Sequence, residues 1–138
     1  MTQSIWLALD CASRNLERVI SDQTSHLGLS VIDCHVLLAL YANDGVHPGD
    51  LAATVGRQAT SFTPNIDSLE RKGLIERHDD PNDRRAVLIF LTAKARVIEE
   101  SVREEVNEAV AYWLECVIPE TDMQAFDGII EILGEAKL

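Results

Sequence analysis

The sequence predicts a mostly α-helical chain carrying one small β-hairpin, and three observations lead there. Apolar residues recur three and four positions apart through most of the chain, the period of helices with one buried face. Gly28, Gly45, Gly56 and Gly73 punctuate those runs where helices must stop. Residues 86–91 alone form an apolar, β-branched run beside a segment of turn formers.

Each element has its own signal. Ile5, Leu9, Ala12, Leu16, Val19 and Ile20 give a first amphipathic helix over residues 4–24. Ser30 followed by Asp33 is a capping-box start for a second helix. Val31, Ile32, Val36, Leu37, Leu38 and Leu40 make that helix apolar nearly all round, so it belongs in the centre. Asn43-Asp44-Gly45 ends it. Pro48 suits the first position of a short third helix, with His47 as its cap and Gly56 as its stop.

Arg57-Gln58 is a tight connection into a fourth helix, which buries Ile66 and Leu69 and runs to about Lys72. Pro64 is expected near its first turn, where a missing N–H costs little. Residues 74–78 and 86–91 read as two strands, with the charged turn 79–85 between them. Thr92 caps a long helix, 93–117, on which Ile98, Val102, Val106, Ala109, Val110, Trp113 and Val117 share a face. Pro119 ends it. Thr121 with Gln124 opens a last helix with Phe126, Ile129, Ile130 and Leu133 on its apolar side.

Two short helices joined by a tight turn and followed at once by a hairpin make a winged helix-turn-helix. The first of the pair braces the second, whose N-terminal half fits a DNA major groove about 12 Å wide. The hairpin tip reaches the neighbouring backbone or minor groove, where arginine is favoured.

Composition narrows the class. The 138 residues suit one domain, or one domain with an oligomerisation arm. With 46% apolar residues the chain can fill a core, and no apolar run approaches the 18 residues of a membrane span. The N-terminus has no basic stretch leading into an apolar block, so no secretory signal is expected. Cys11, Cys34 and Cys116 are odd in number and far apart, which suits a reducing cytoplasm. Gly-rich phosphate loops, paired carboxylates and nucleophile–base signatures are missing, so no enzyme and no cofactor is expected.

The net charge of −11 is unevenly spread. Residues 46–96 hold 8 basic and 7 acidic residues, whereas residues 97–138 hold 2 and 11. Only the middle third can approach a polyanion, and with a net charge of +1 it should bind DNA modestly and with sharp salt dependence.

The residues that carry these features resemble one family. Leu51-Ala52, Val55, Ala59 to Pro64, Ile66 to Arg77, Asp80 to Ala86 and Leu91-Thr92 are similar to the MarR family of winged-helix transcriptional regulators. The Leu-Glu-x-x-Gly-Leu-Ile-x-Arg segment is shared by many winged-helix proteins. The Asp-x-Arg wing leading to a strand that ends in Leu-Thr is more discriminating. The resemblance implies a winged helix-turn-helix DNA-binding domain over residues 30–92. It also implies a helical dimerisation region over 1–29 and 93–138, in which the terminal helices of two copies intertwine. Two reading heads about 34 Å apart would then face a pseudo-palindrome. Ala95 stands where the family often has glycine.

The expected function is therefore that of a homodimeric, sequence-specific regulator of double-stranded DNA, a repressor released by a small aromatic or anionic effector. The alternative is a winged-helix dimer that has lost DNA binding and contacts proteins; the low positive charge motivates it. Thr60, Ser61, Thr63, Pro64 and Asn65 are expected at bases or phosphates, against the reading that Ser and Thr only cap the helix. Arg57 and Gln58 suit phosphate. Arg71, late in the helix, suits backbone contact or an ion pair, and Arg77 and Lys72 are further phosphate ligands. Arg84 and Arg85 crown the wing, one for the minor groove and one for phosphate, with Asp83 holding Arg85 through a bidentate ion pair.

Trp6, His26 and Trp113, with the second helix, are expected to line an effector crevice between the dimer layer and the reading head. One family branch senses organic peroxides through an N-terminal cysteine partnered by tyrosine. Those positions correspond here to Trp6 and Asp10, so Cys11 reads as a buried or half-buried structural thiol. The four histidines show no metal-ligand spacing, and no metal is expected.

Overall fold

The Ser30 hydroxyl accepts the backbone N–H of Asp33, and the Asp33 carboxylate accepts that of Ser30 at 2.9 Å. The expected capping box therefore forms, and it opens the helix around which the rest packs. The computed structural model describes residues 4–118 and 122–135. Its elements in order are α1 (Ile5–Thr24), a 3-10 turn (Ser25–Leu27), α2 (Val31–Ala42), α3 (Pro48–Thr54) and α4 (Ala59–Arg71). They continue with β1 (Ile75–Asp80), β2 (Asp83–Leu91), α5 (Ala93–Val97), α6 (Glu99–Val117) and α7 (Met123–Glu135). The chain is mostly helical with a single antiparallel hairpin, as its sequence predicts.

Cys34, Val36, Leu37 and Leu40 of α2 are fully buried, which is what an all-round apolar helix requires. Against them pack Leu51 and Ala52 of α3, Phe62, Ile66 and Leu69 of α4, Ile75 and Ile89 of the hairpin, and Val102 of α6. One core thus joins the helix pair, the hairpin and the start of the long helix. Gly45 shows why glycine is needed at the end of α2. Its φ is +71°, and a Cβ there would lie 2.6 Å from Cε1 of Phe90.

Three boundaries differ from expectation. The long helix does not run unbroken over 93–117, because the backbone ladder is interrupted at Ile98, whose N–H bonds to the Arg96 carbonyl. The five residues before it are fastened to the head. The Thr92 hydroxyl donates to the Gly73 carbonyl at 2.7 Å and the Lys94 ammonium to the Lys72 carbonyl at 2.7 Å. Secondly, α4 begins at Ala59, so Pro64 lies in its second turn, inside the helix. The N–H missing from Pro64 leaves the Thr60 carbonyl without its usual i+4 donor.

The third difference is the turn. β1 reaches Asp80 and β2 starts at Asp83, so the tip is two residues long. The register jumps from Asp79 opposite Val87 to Asp80 opposite Asp83. Arg84, Arg85 and Ala86 therefore have no partner across the hairpin and form a bulge. Pro119 and the Thr121 end of the expected capping box lie outside the described residues.

α1 packs along α6. Gln23 donates to Glu105 at 2.7 Å, and His26 Nε2 lies 3.2 Å from the same carboxylate group. Ile5, Trp6, Leu7 and Leu9 of α1, Tyr112 and Val117 of α6, and Ile129, Ile130 and Ile132 of α7 stay exposed.

Candidate nucleic-acid interface

The α3–α4 connection is closed by its own backbone. Gly56 takes a φ of +69°, and the Arg57 N–H bonds to the Ala52 carbonyl at 2.8 Å. Gln58 is then extended and starts α4 without a side-chain cap. Burial of Phe62, Ile66 and Leu69 turns the opposite face of α4 outward. Arg57, Gln58, Thr60, Ser61, Thr63 and Pro64 are exposed there, with Asn65 half-buried. The Ser61 hydroxyl donates to the Gln58 carbonyl at 3.1 Å, so it stiffens the first turn rather than capping N–H groups. Arg71, also exposed, donates its Nε to the Asp67 carbonyl at 3.3 Å.

On the wing, the Asp83 carboxylate accepts the backbone N–H of Arg85 at 3.0 Å. The expected bidentate Asp83–Arg85 ion pair does not form, because the bulge presents the Arg85 amide, not its guanidinium, to that carboxylate. Asp80 does the same for the Asn82 N–H at 2.8 Å. These bonds shape the tip and leave Arg84 and Arg85 exposed, with no carboxylate partner among the described residues. Both guanidiniums stand at the end of a pinned turn.

The other two cations expected at phosphate are already occupied. Arg77 NH2 lies 2.6 Å from Asp67 and its NH1 pairs with Glu70, which raises its pKa, chiefly through the Asp67 hydrogen bond. Lys72 pairs with Asp33 at 2.5 Å and donates to the Gly28 carbonyl at 3.0 Å. Both side chains fasten elements together, so neither offers a free charge to DNA.

Sequence reasoning missed the role of His47. It precedes α3 but makes no capping bond there. Its Nδ1 lies 3.1 Å from the Val87 carbonyl and its Nε2 lies 3.2 Å from Asp80, so the ring ties the start of α3 to both wing strands. Nothing local marks this contact, which spans 40 positions.

The three expected effector residues do not come together. Trp6 and His26 flank opposite ends of α1, whose 20 residues make it about 30 Å long. His26 is spoken for by Glu105 and by the Gln23 carbonyl. Trp113 instead lines a groove of about 430 Å³ with Ala8, Cys11, Ala12, Val117 and Phe126. Cys11 is exposed in the single chain, contrary to the buried thiol expected, as is Cys116, whereas Cys34 is buried. A separate open crevice of about 440 Å³ lies between α2 and α3, against His35, Leu38, Thr54 and Val55. Burial, followed by the opposing pull of Glu17, sets the His35 pKa below that of a free imidazole. Among the described residues no group of three or more His, Cys, Asp or Glu is placed to hold a metal ion.

A MarR family model matches residues 27–86, which span the central helix, the helix pair and the wing through its bulge. Among curated proteins, the regulator YfiV of Bacillus subtilis is 28% identical over 110 residues, covering 80% of this chain and 68% of YfiV. Residues 27–86 are therefore a MarR-family segment. MarR-family proteins are transcriptional regulators rather than enzymes, and the chain is a DNA-binding regulator. The Escherichia coli transcriptional repressor MprA is 36% identical over 59 residues, 43% of this chain and 34% of MprA. The fold is that of the repressor CouR bound to a 23-mer DNA duplex: TM-score 0.82 at 24% identity, over 95% of this chain and 92% of CouR. CouR from Rhodococcus jostii bound to p-coumaroyl-CoA is similar at TM-score 0.80 and 25% identity, over 99% of this chain and 95% of CouR. Among the described residues, no single helix is long and apolar enough to cross a membrane.

Proposed function

We propose that this chain acts as a homodimeric repressor that reads a pseudo-palindromic operator through α4 and the wing. The observation that carries the reading is the pair of unpaired guanidiniums, Arg84 and Arg85, on a bulge shaped by Asp80 and Asp83. An interaction surface has no need for two uncompensated cations on a tip stiffened in this way. A minor groove or phosphate backbone does. In this reading Thr60, Ser61, Thr63, Pro64 and Asn65 meet base edges and phosphates, Arg57, Gln58 and Arg71 meet the backbone, and Arg77 and Asp83 hold the shape of the reader.

Residues 30–92 form the reading unit, and residues 1–29 with 93–138 form the layer that joins two copies. The exposed apolar side chains of α1, α6 and α7 support a second copy as their cover. Repression follows from occupancy of a promoter. A small aromatic or anionic effector releases it by favouring a head spacing that no longer matches successive grooves. CouR, which has a small-molecule complex and a DNA complex on the same fold, supports that arrangement.

The test is a titration of labelled duplex covering the DNA upstream of the chain's own gene, at several salt concentrations, with sedimentation equilibrium on the protein alone. Modest but steeply salt-dependent binding by a dimer is the expected result. A monomer, or a dimer without salt-sensitive binding at low ionic strength, would favour the protein-interaction reading. The net charge of +1 over residues 46–96 is the observation on that side.

A further inference from the structure

We infer that Arg77 is a positioning residue for DNA recognition, pairing its guanidinium with Asp67 and Glu70 of the reading helix so that the negative charge of two exposed carboxylates is offset at the surface that meets phosphate while the wing is fixed to that helix. The inference rests on the DNA-binding reading and adds to it a masking role that no phosphate contact would supply.

Asp67 and Glu70 are three residues apart and so share one side of α4. Both are substantially exposed, at 51% and 41% of their side-chain surface. They follow directly on the polar stretch Thr60–Asn65. Left alone, two carboxylates at that place would repel a backbone that carries one negative charge per about 1.7 Å of duplex. Arg77 rises from β1 and gives one guanidinium nitrogen to each. The planar fork is suited to this, since it directs separate N–H groups at two acceptors at once, which an ammonium cannot do with the same fixed geometry.

The same two bonds join β1 to the helix before it, and the bulge with Arg84 and Arg85 lies on the strand paired with β1, so it is held at a set distance from α4. Exposed ion pairs add little to stability, so variants at these positions should fold. The effect belongs to binding.

The experiment is a mutant cycle read by fluorescence anisotropy on the upstream duplex and on a scrambled duplex at low salt. The proteins are wild type, Arg77→Met, Arg77→Lys, the double variant Asp67→Asn/Glu70→Gln, and that double variant with Arg77→Met. Thermal melts confirm that each is folded. Arg77→Met should weaken binding about tenfold in the wild-type background and less than about threefold once both carboxylates are neutral. Arg77→Lys should fall well short of wild type. Equal losses in both backgrounds, or Arg77→Lys binding like wild type, would make Arg77 an ordinary phosphate ligand and overturn the inference. If Arg77→Met does not fold, the comparison of Arg77→Lys with wild type decides alone. Wild type that fails to bind either duplex would remove the DNA-binding reading itself, and this inference with it.

Discussion

The Lys72 ammonium stands 2.5 Å from the Asp33 carboxylate, joining the end of α4 to the capping box of α2 across 39 positions. Asp33 is nearly sealed, with 3% of its side chain exposed, whereas Lys72 keeps 36%. Lys72→Met therefore leaves a buried carboxylate whose one remaining hydrogen-bond donor among the described residues is the Ser30 amide. We expect a loss of about 2 kcal/mol in urea unfolding, below the range for fully buried pairs because one partner is part-solvated. Asp33→Asn in the same background should recover part of that loss. A Lys72→Met variant as stable as wild type would show the pair to be neutral.

Arg84→Ala and Arg85→Ala should each leave stability within about 0.5 kcal/mol of wild type, since neither side chain has a partner among the described residues to lose. Each should weaken operator binding roughly tenfold and, with two copies in the dimer, lower the slope of log affinity against log salt by about 1.8 if it meets a phosphate. The arginine that enters the minor groove should instead show a loss that depends on base sequence. Anisotropy titrations at four salt concentrations separate the two roles.

Gly45→Ala should be among the most damaging small substitutions in the reading head. The backbone there sits at φ +71°, and the added methyl would meet the Phe90 ring at 2.6 Å. Left-handed backbone costs an L-residue about 1–2 kcal/mol, and displacing Phe90 adds to it. A drop of about 2–3 kcal/mol in chemical denaturation is expected. Gly56→Ala has the same backbone strain and an open site, so it should cost less.

Tyr41 donates its hydroxyl to the Ala95 carbonyl at 2.7 Å. Burial first and Glu99 second push its pKa up to about 12 from the ordinary 10.0, with Arg103 pulling the other way. The folded state thus holds the phenolic proton more tightly than the unfolded chain. That contribution is complete below pH 10 and is lost as pH rises towards 12. Unfolding free energy measured across pH 9–12 should fall, and Tyr41→Phe should remove the part of the fall that belongs to this group. An unchanged profile in Tyr41→Phe would refute the assignment.

What was legible in the sequence was what is local. The Ser30–Asp33 box, the Gly73 stop and the apolar girdle of α2 are each written within a few consecutive residues, and each forms. The bulge was not legible, because the choice between a seven-residue turn and a two-residue tip depends on where Asp80 and Asp83 direct their carboxylates. Arg77 and Lys72 were misjudged for a shared reason. A charged side chain in a sequence looks available, and only the folded chain reveals a distant carboxylate within reach. The grouping of Trp6 with His26 is different. The length of α1 between them already ruled out a common pocket within one chain.

One carboxylate has a mechanical consequence. Asp44 accepts the N–H of Gly45 at 3.0 Å and that of Leu91 at 2.9 Å through one oxygen, and pairs with Arg96 through the other. The root of the wing and the short helix α5 are pinned to the same small hub. Displacing α5 must drag the wing along or forfeit the charged contact, so the tip's aim and the seat of that short helix are geared to each other.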